Sequence, residues 1–156
     1  MAERPKVVAV LVTNPALSSI LSMVLASSPR LRVRPFESLV ALETYMRLAP
    51  VDLIVADFDS DTAPADRVAR ALDDAARRWI QFIALAGTVT PEIKRTSIGA
   101  GIDEIIVKPM SPKYLLERVL SRLDRRAARP SAPRPAFVPR GDNVIPLFAH
   151  RPQPVH

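Results

Sequence analysis

The sequence predicts an α/β fold, a doubly wound parallel sheet of five strands covered by five helices. Three observations carry this. Five short apolar runs rich in β-branched residues recur at Val7 to Val12, Leu31 to Phe36, Leu53 to Asp57, Ile80 to Ala86 and Ile102 to Val107, as strands do. Segments with helical spacing follow each of them, and parallel neighbours need such crossover connections. The runs VVAVLV and LIV are apolar without alternation, which suits strands buried on both faces.

The helices are read in chain order. Ala16, Ile20, Met23 and Val24 suit a first helix, with Asn14 as N-cap and Pro15 at the first helical position, where a missing N–H costs nothing. Leu39, Leu42, Tyr45 and Met46 suit a second; Val68, Leu72 and Ala75 a third; Ile93 and Ser97 a short fourth; Leu116, Val119, Leu120 and Leu123 a fifth. No internal repeat is present.

At 156 residues and 48% hydrophobic, the chain has the material for one domain with a substantial core. With no cysteine, a disulfide framework, a thiolate metal site and a cysteine nucleophile are excluded, and a reducing, cytoplasmic location is expected. Thr13-Asn14-Pro15 interrupts the N-terminal apolar run, and no run reaches the roughly 18 residues of a membrane span, so neither export nor membrane insertion is expected.

The net charge of +6 belongs mainly to the end of the chain: from Arg125 onward there are six arginines and one acid, leaving sixteen basic and fifteen acidic groups in residues 1–124. Residues 1–124 therefore read as the folded domain. Residues 125–156 read as a Pro/Arg-rich tail expected to be disordered, because seven of the sixteen prolines fall there. Its apolar island NVIPLF, with Val144, Ile145, Leu147 and Phe148, reads equally as a partner-docking motif or as a strap folding back on the domain. The tail arginines lack interleaved aromatics and no helix-turn-helix pattern follows the domain, so nucleic-acid binding is not the favoured reading.

In a doubly wound sheet the functional crevice lies at the carboxyl ends of the strands, where strand order reverses. The residues to inspect are therefore Thr13 and Asn14, Asp57 and Asp59, Ala86 to Thr88, and Lys108 and Pro109. DFDSD fails as a calcium loop, because its sixth and twelfth positions are Thr62 and Val68 in place of Gly and Glu. Its D-x-D start resembles that of haloacid-dehalogenase-type phosphatases, but that family places the motif after its first strand and needs further motifs downstream. His150 and His156 lie in the tail and read as solvated; Trp79 and Tyr114 read as packing residues.

The order of elements, the lone Asp57 closing the third strand, and GAGIDEIIVKPMSPKYLLERV resemble the receiver domain of bacterial two-component response regulators over roughly residues 6–124. The resemblance implies a flavodoxin-like fold. It makes Asp57 the phosphoacceptor candidate, Lys108 its ion-pair and phosphoryl partner, and Pro109 the residue after a cis peptide bond. It implies a histidine kinase, a phosphotransfer protein or a downstream regulator as partner. Contacts, homodimerisation included, are expected on the face of the fourth helix, fifth strand and fifth helix.

The sequence departs from the family pattern at four positions. Thr13 and Asn14 replace the pair of acids that hold Mg²⁺, Ala86 replaces the Ser or Thr that binds the phosphoryl group, and Ile105 replaces the switch aromatic. Asp57 and Lys108 alone sum to zero charge, so the site no longer calls for a hard divalent cation. Mg²⁺ is expected to be absent or weakly held, with Asp57, Asp59 and the Asn14 amide oxygen as its candidate ligands and Asp61 as a further acid that could lend a carboxylate. The bland reading makes Asp59 and Asp61 solvated loop acids, with Asp61 or Thr62 capping the third helix. The expected function is that of a stand-alone atypical receiver, a phosphorylation-independent or weakly phosphorylated protein-binding adaptor without enzymatic turnover. The alternatives are a conventional regulator phosphorylated on Asp57 and an Arg-rich nucleic-acid tether.

Overall fold

The structure, a computed structural model, describes residues 4–72, 78–128 and 144–146. Five parallel strands, β1 (Lys6–Leu11), β2 (Leu31–Pro35), β3 (Leu53–Asp57), β4 (Gln81–Ala86) and β5 (Glu104–Val107), alternate with α1 (Pro15–Ala26), α2 (Leu39–Leu48), α3 (Ala65–Ala71), α4 (Pro91–Ala100) and α5 (Pro112–Ala128). The sheet order is β2-β1-β3-β4-β5, with a further strand, β6 (Val144–Pro146), beyond β5. The reversal between β1 and β3 sets the carboxyl ends of those two strands side by side.

Alternation along each strand divides the core into two halves. Val8, Val10, Leu53, Val55, Ile83, Leu85 and Ile106 pack with Leu21 and Leu25 of α1 and Leu115, Val119 and Leu123 of α5. Ala9, Leu11, Ile54, Ala56, Phe82, Ala84 and Ile105 pack on the other face with Leu42, Val68, Ala69 and Ala100 of the remaining helices. Each helix thus buries one stripe against a sheet that is apolar on both sides.

The predicted caps hold in part. The Asn14 side-chain oxygen accepts the Leu17 N–H at 3.0 Å and Pro15 opens α1. Ser38 and Thr90 cap α2 and α4 in the same manner. Gly101 ends α4 at φ 84°, a left-handed conformation that glycine adopts without a Cβ penalty. The expected capping of α3 by Asp61 or Thr62 is not found: Pro64 precedes the helix and supplies no side-chain bond. The stripe assigned to α1 is also corrected, because Ile20 and Met23 are exposed and Leu21 and Leu25 are buried. Helix α1 carries more apolar residues than its core face can cover, so composition left the phase of the stripe open.

Within the tail, three residues lie as the strap reading of NVIPLF expects. Val144–Pro146 runs antiparallel to β5, pairing Ile106 with Val144, Ile105 with Ile145 and Glu104 with Pro146. A β5 edge would otherwise present unpaired N–H and C=O groups to solvent. Asn143, Leu147, Phe148, His150 and His156 lie outside the described residues. No helix among the described residues is long and apolar enough to cross a membrane.

Candidate functional site at the strand ends

Strand β3 is buried along its whole length and delivers Asp57, only 5% exposed, to the carboxyl edge of the sheet. Lys108 follows β5 directly, its N–H donating to the Ala86 carbonyl at 2.8 Å, and the Lys108–Pro109 bond is cis, as the resemblance implies. The ammonium then reaches back across β4. Lys108 Nζ donates to Asp57 Oδ1 and Oδ2 at 3.0 and 2.9 Å.

Asp59 belongs to the same cluster. Its Oδ2 lies 2.9 Å from Lys108 Nζ and accepts the Gly87 N–H at 2.9 Å. Its own N–H donates to Asp57 Oδ1 at 2.9 Å. The absence of a side chain at position 87 matters, since a Cβ there would sit 3.1 Å from Asp59 Oδ2. Gly87 falls within the stretch Ala86 to Thr88 but has no assigned role in the sequence; the available signal is a glycine immediately after a strand, where a backbone N–H can be approached closely.

The electrostatics follow. The Lys108 hydrogen bond lowers the Asp59 pKa; partial burial opposes this, and the Gly87 N–H and the Lys108 charge add to the lowering. For Lys108, burial disfavours the charged form, but the hydrogen bonds it donates to Asp57 and Asp59, with their charges, outweigh it and raise the pKa. Two carboxylates share one ammonium, so the cluster carries −1 where Asp57 and Lys108 alone sum to zero.

The other candidate residues are engaged elsewhere. Asn14 spends its amide oxygen on the α1 cap. Thr13 Oγ1 bonds Ser60 Oγ at 3.2 Å, and Ser60 Oγ accepts the Ala63 N–H at 3.0 Å, tying the loop after β1 to the loop after β3. Ala86 and Ile105 are fully buried, and the exposed Thr88 lies in the loop before α4, whose cap is Thr90. Asp61 is exposed. Trp79 is exposed and Tyr114 packs on the α1/α5 half of the core.

The candidate Mg²⁺ ligands are engaged with other partners. Mg²⁺ demands near-octahedral oxygen coordination, whereas Asp57 and Asp59 converge on Lys108 and the Asn14 oxygen points into its own helix. Among the described residues no group of three or more acidic, histidine or cysteine side chains is placed to hold a metal. A phosphoryl dianion approaching Asp57 would meet two carboxylates against one lysine, and phosphoryl transfer depends on charge stabilisation at the transferred oxygens. As it stands, the cluster is an ion-paired group at the carboxyl edge of the sheet, open to solvent on its Asp59 side.

A second charge cluster was missed in the sequence. Glu104 of β5 is fully buried, accepting from Arg118 Nε and Nη2 at 2.6 and 3.0 Å and from Arg122 Nε at 2.6 Å. The signal was the spacing of Arg118 and Arg122, one turn apart on α5.

No protein-family model and no curated protein sequence matches the chain. Solved structures do. A CheY-like response regulator receiver domain protein of Methanospirillum hungatei superposes with a TM-score of 0.68 at 19% identity, covering 80% of this chain and 98% of that one. A response regulator of Thermotoga maritima gives 0.68 at 20% identity, over 78% and 100% of the two chains. The chemotaxis response regulator CheY4 of Vibrio cholerae gives 0.66 at 20% identity, over 78% and 99%. With Asp57 and Lys108 meeting at the reversal point of a β2-β1-β3-β4-β5 sheet, this chain has the fold of the response regulator receiver domains.

Proposed function

We propose that the chain is an atypical receiver domain that acts in two-component signalling by presenting a surface to protein partners, with Asp57 held unphosphorylated. One observation carries this reading. The Asp59 carboxylate takes the Gly87 N–H and shares the Lys108 ammonium with Asp57, so two donors at this edge are already engaged by an acid. Thr13 and Asn14 supply no replacement acid, and Ala86 supplies no hydroxyl. The protein is then an adaptor and not an enzyme, needs no cofactor, and meets a histidine kinase, a phosphotransfer protein or a downstream regulator through the α4/β5/α5 face. A homodimer would use the same face.

The conventional reading keeps one specific support, the intact Asp57–Lys108 pair. The experiment that separates the two is intact-mass spectrometry after incubation with acetyl phosphate, with and without Mg²⁺, for wild type and Asp57→Asn. The expected result is no adduct on either protein under conditions that label an ordinary receiver. A Mg²⁺-dependent gain of one phosphoryl group in wild type only would overturn the proposal.

A further inference from the structure

The two edges of the sheet are treated differently. Strand β2 guards itself: Arg32, Arg34 and Pro35 are exposed along it, and edge charges and prolines discourage pairing with another chain. Strand β5 has no such guard. Its sequence is EIIV; Glu104, Ile105 and Ile106 are buried, and the one charge is turned inward to Arg118 and Arg122. An inward charge also discourages pairing, yet Glu104 is neutralised by two arginines, so β5 keeps no exposed cation or proline of its own against an added strand.

Strand β6 supplies that strand from the chain's own tail. The pairing covers only three residues, and Pro146, which lacks an N–H, ends it opposite Glu104. Fifteen residues separate Ala128 from Val144. Fully extended they reach about 50 Å, twice the roughly 25 Å length of α5, so the segment has ample chain to return to β5. A three-residue antiparallel pairing is weak as an encounter between molecules, and tethering raises the effective concentration of the segment to about millimolar.

We propose that the β5 edge is a strand-accepting site for an extended apolar segment, and that Val144–Pro146 is its resident, displaceable occupant. A protein that adds a strand to this edge must first compete with the tail, so the tail sets a threshold for binding there. The proposal rests on the receiver reading only for the use of this face. The test reads β5 amides and not Asp57, so its failure is distinct from failure of the phosphorylation reading.

The test uses the full chain and the full-length variant Val144→Pro/Ile145→Pro, which removes both non-proline N–H groups of β6. Amide spectra of the variant should differ from wild type along β5 and leave the β1, β3 and Asp57 region unchanged, showing that the domain is folded. An added peptide of residues 141–150, at up to a few millimolar, should return the β5 signals of the variant toward those of wild type and leave wild type unaffected. Identical β5 signals in the two proteins, or signals that the peptide does not restore, would overturn the proposal. A wild-type dimer that dissociates in the variant would also overturn it, by assigning the edge to the tail of a second copy.

Discussion

Two charge clusters flank β5, and they are mirror images. Inside, two arginines share one carboxylate: Arg118 and Arg122 grip Glu104 between α5 and the sheet, and Arg122 also donates to the Asp103 carbonyl at 3.3 Å. At the carboxyl edge, two carboxylates share one lysine, Asp57 and Asp59 about Lys108. The inner cluster is closed, with the Glu104 side chain at 0% exposure; in the outer one the Asp59 side chain is 53% exposed. Burial disfavours charge on Arg118, but the Glu104 bonds outweigh it and raise its pKa. The difference teaches that an ion cluster is not a site by virtue of its charges. What makes the outer one a candidate is its place at the reversal of strand order and its open side.

The largest break in this comparison is Glu104→Gln. It removes the buried carboxylate that two nearly dry guanidinium groups share, and removing one partner of a buried pair costs about 3–5 kcal/mol. The urea midpoint should fall accordingly. Removal of the outer cation by Lys108→Met should cost less, about 1–2 kcal/mol, because Asp59 recovers hydration when released and the buried Asp57 keeps the Asp59 N–H. A double-mutant cycle sharpens this: Asp59→Asn in the Lys108→Met background should restore part of the loss by removing one of two facing carboxylates. A Lys108→Met cost equal to that of Glu104→Gln would show the outer cluster to be as structural as the inner one.

The strand that covers Glu104 from outside contributes a smaller increment. Deleting residues 141–156 removes the β6 pairing while leaving both halves of the core intact. It should lower stability by about 1 kcal/mol, the net value of one or two hydrogen bonds after ordering costs. Differential scanning calorimetry of the full and shortened chains measures it. An unchanged melting temperature would favour a docking motif over a strap.

The fold was legible because its signals are local. Continuous apolar runs of five or six residues, separated by helical spacing, fix β1, β3 and β4 to within a residue, and Asp57 and Lys108 then fall at strand ends by counting. The capture of Asp59 was not legible, since it depends on a backbone N–H 28 positions away and on the missing side chain at Gly87. Glu104 carries no signal of its own within the run Ile102 to Val107, because a buried acid is recognisable only with its partners, and these lie on α5. Val144–Pro146 was seen as an apolar island, but three residues ending in proline carry too little pattern to read as a strand, and it is the open β5 edge that selects them.

The smallest effect is the most specific to the outer cluster. Asp59 has a folded-state pKa below its ordinary value, so its contribution to stability is present above the usual carboxylate range and is lost as pH falls through the lowered value. Lys108 has the opposite sign: its pKa is raised, so its contribution is complete below the usual lysine range and is lost as pH climbs through the raised value. Between these limits, from mildly acidic to mildly alkaline pH, the Asp59 part of the stability should be flat. Because Asp59 is half in water, its share is a fraction of a kcal/mol, about what exposed pairs contribute. Urea titrations of wild type and Asp59→Asn at intervals of pH should therefore converge in acid and separate slightly above it. A gap that persists unchanged at low pH would mean that Asp59 contributes through the geometry of its loop, and that charge is not what holds it over Gly87.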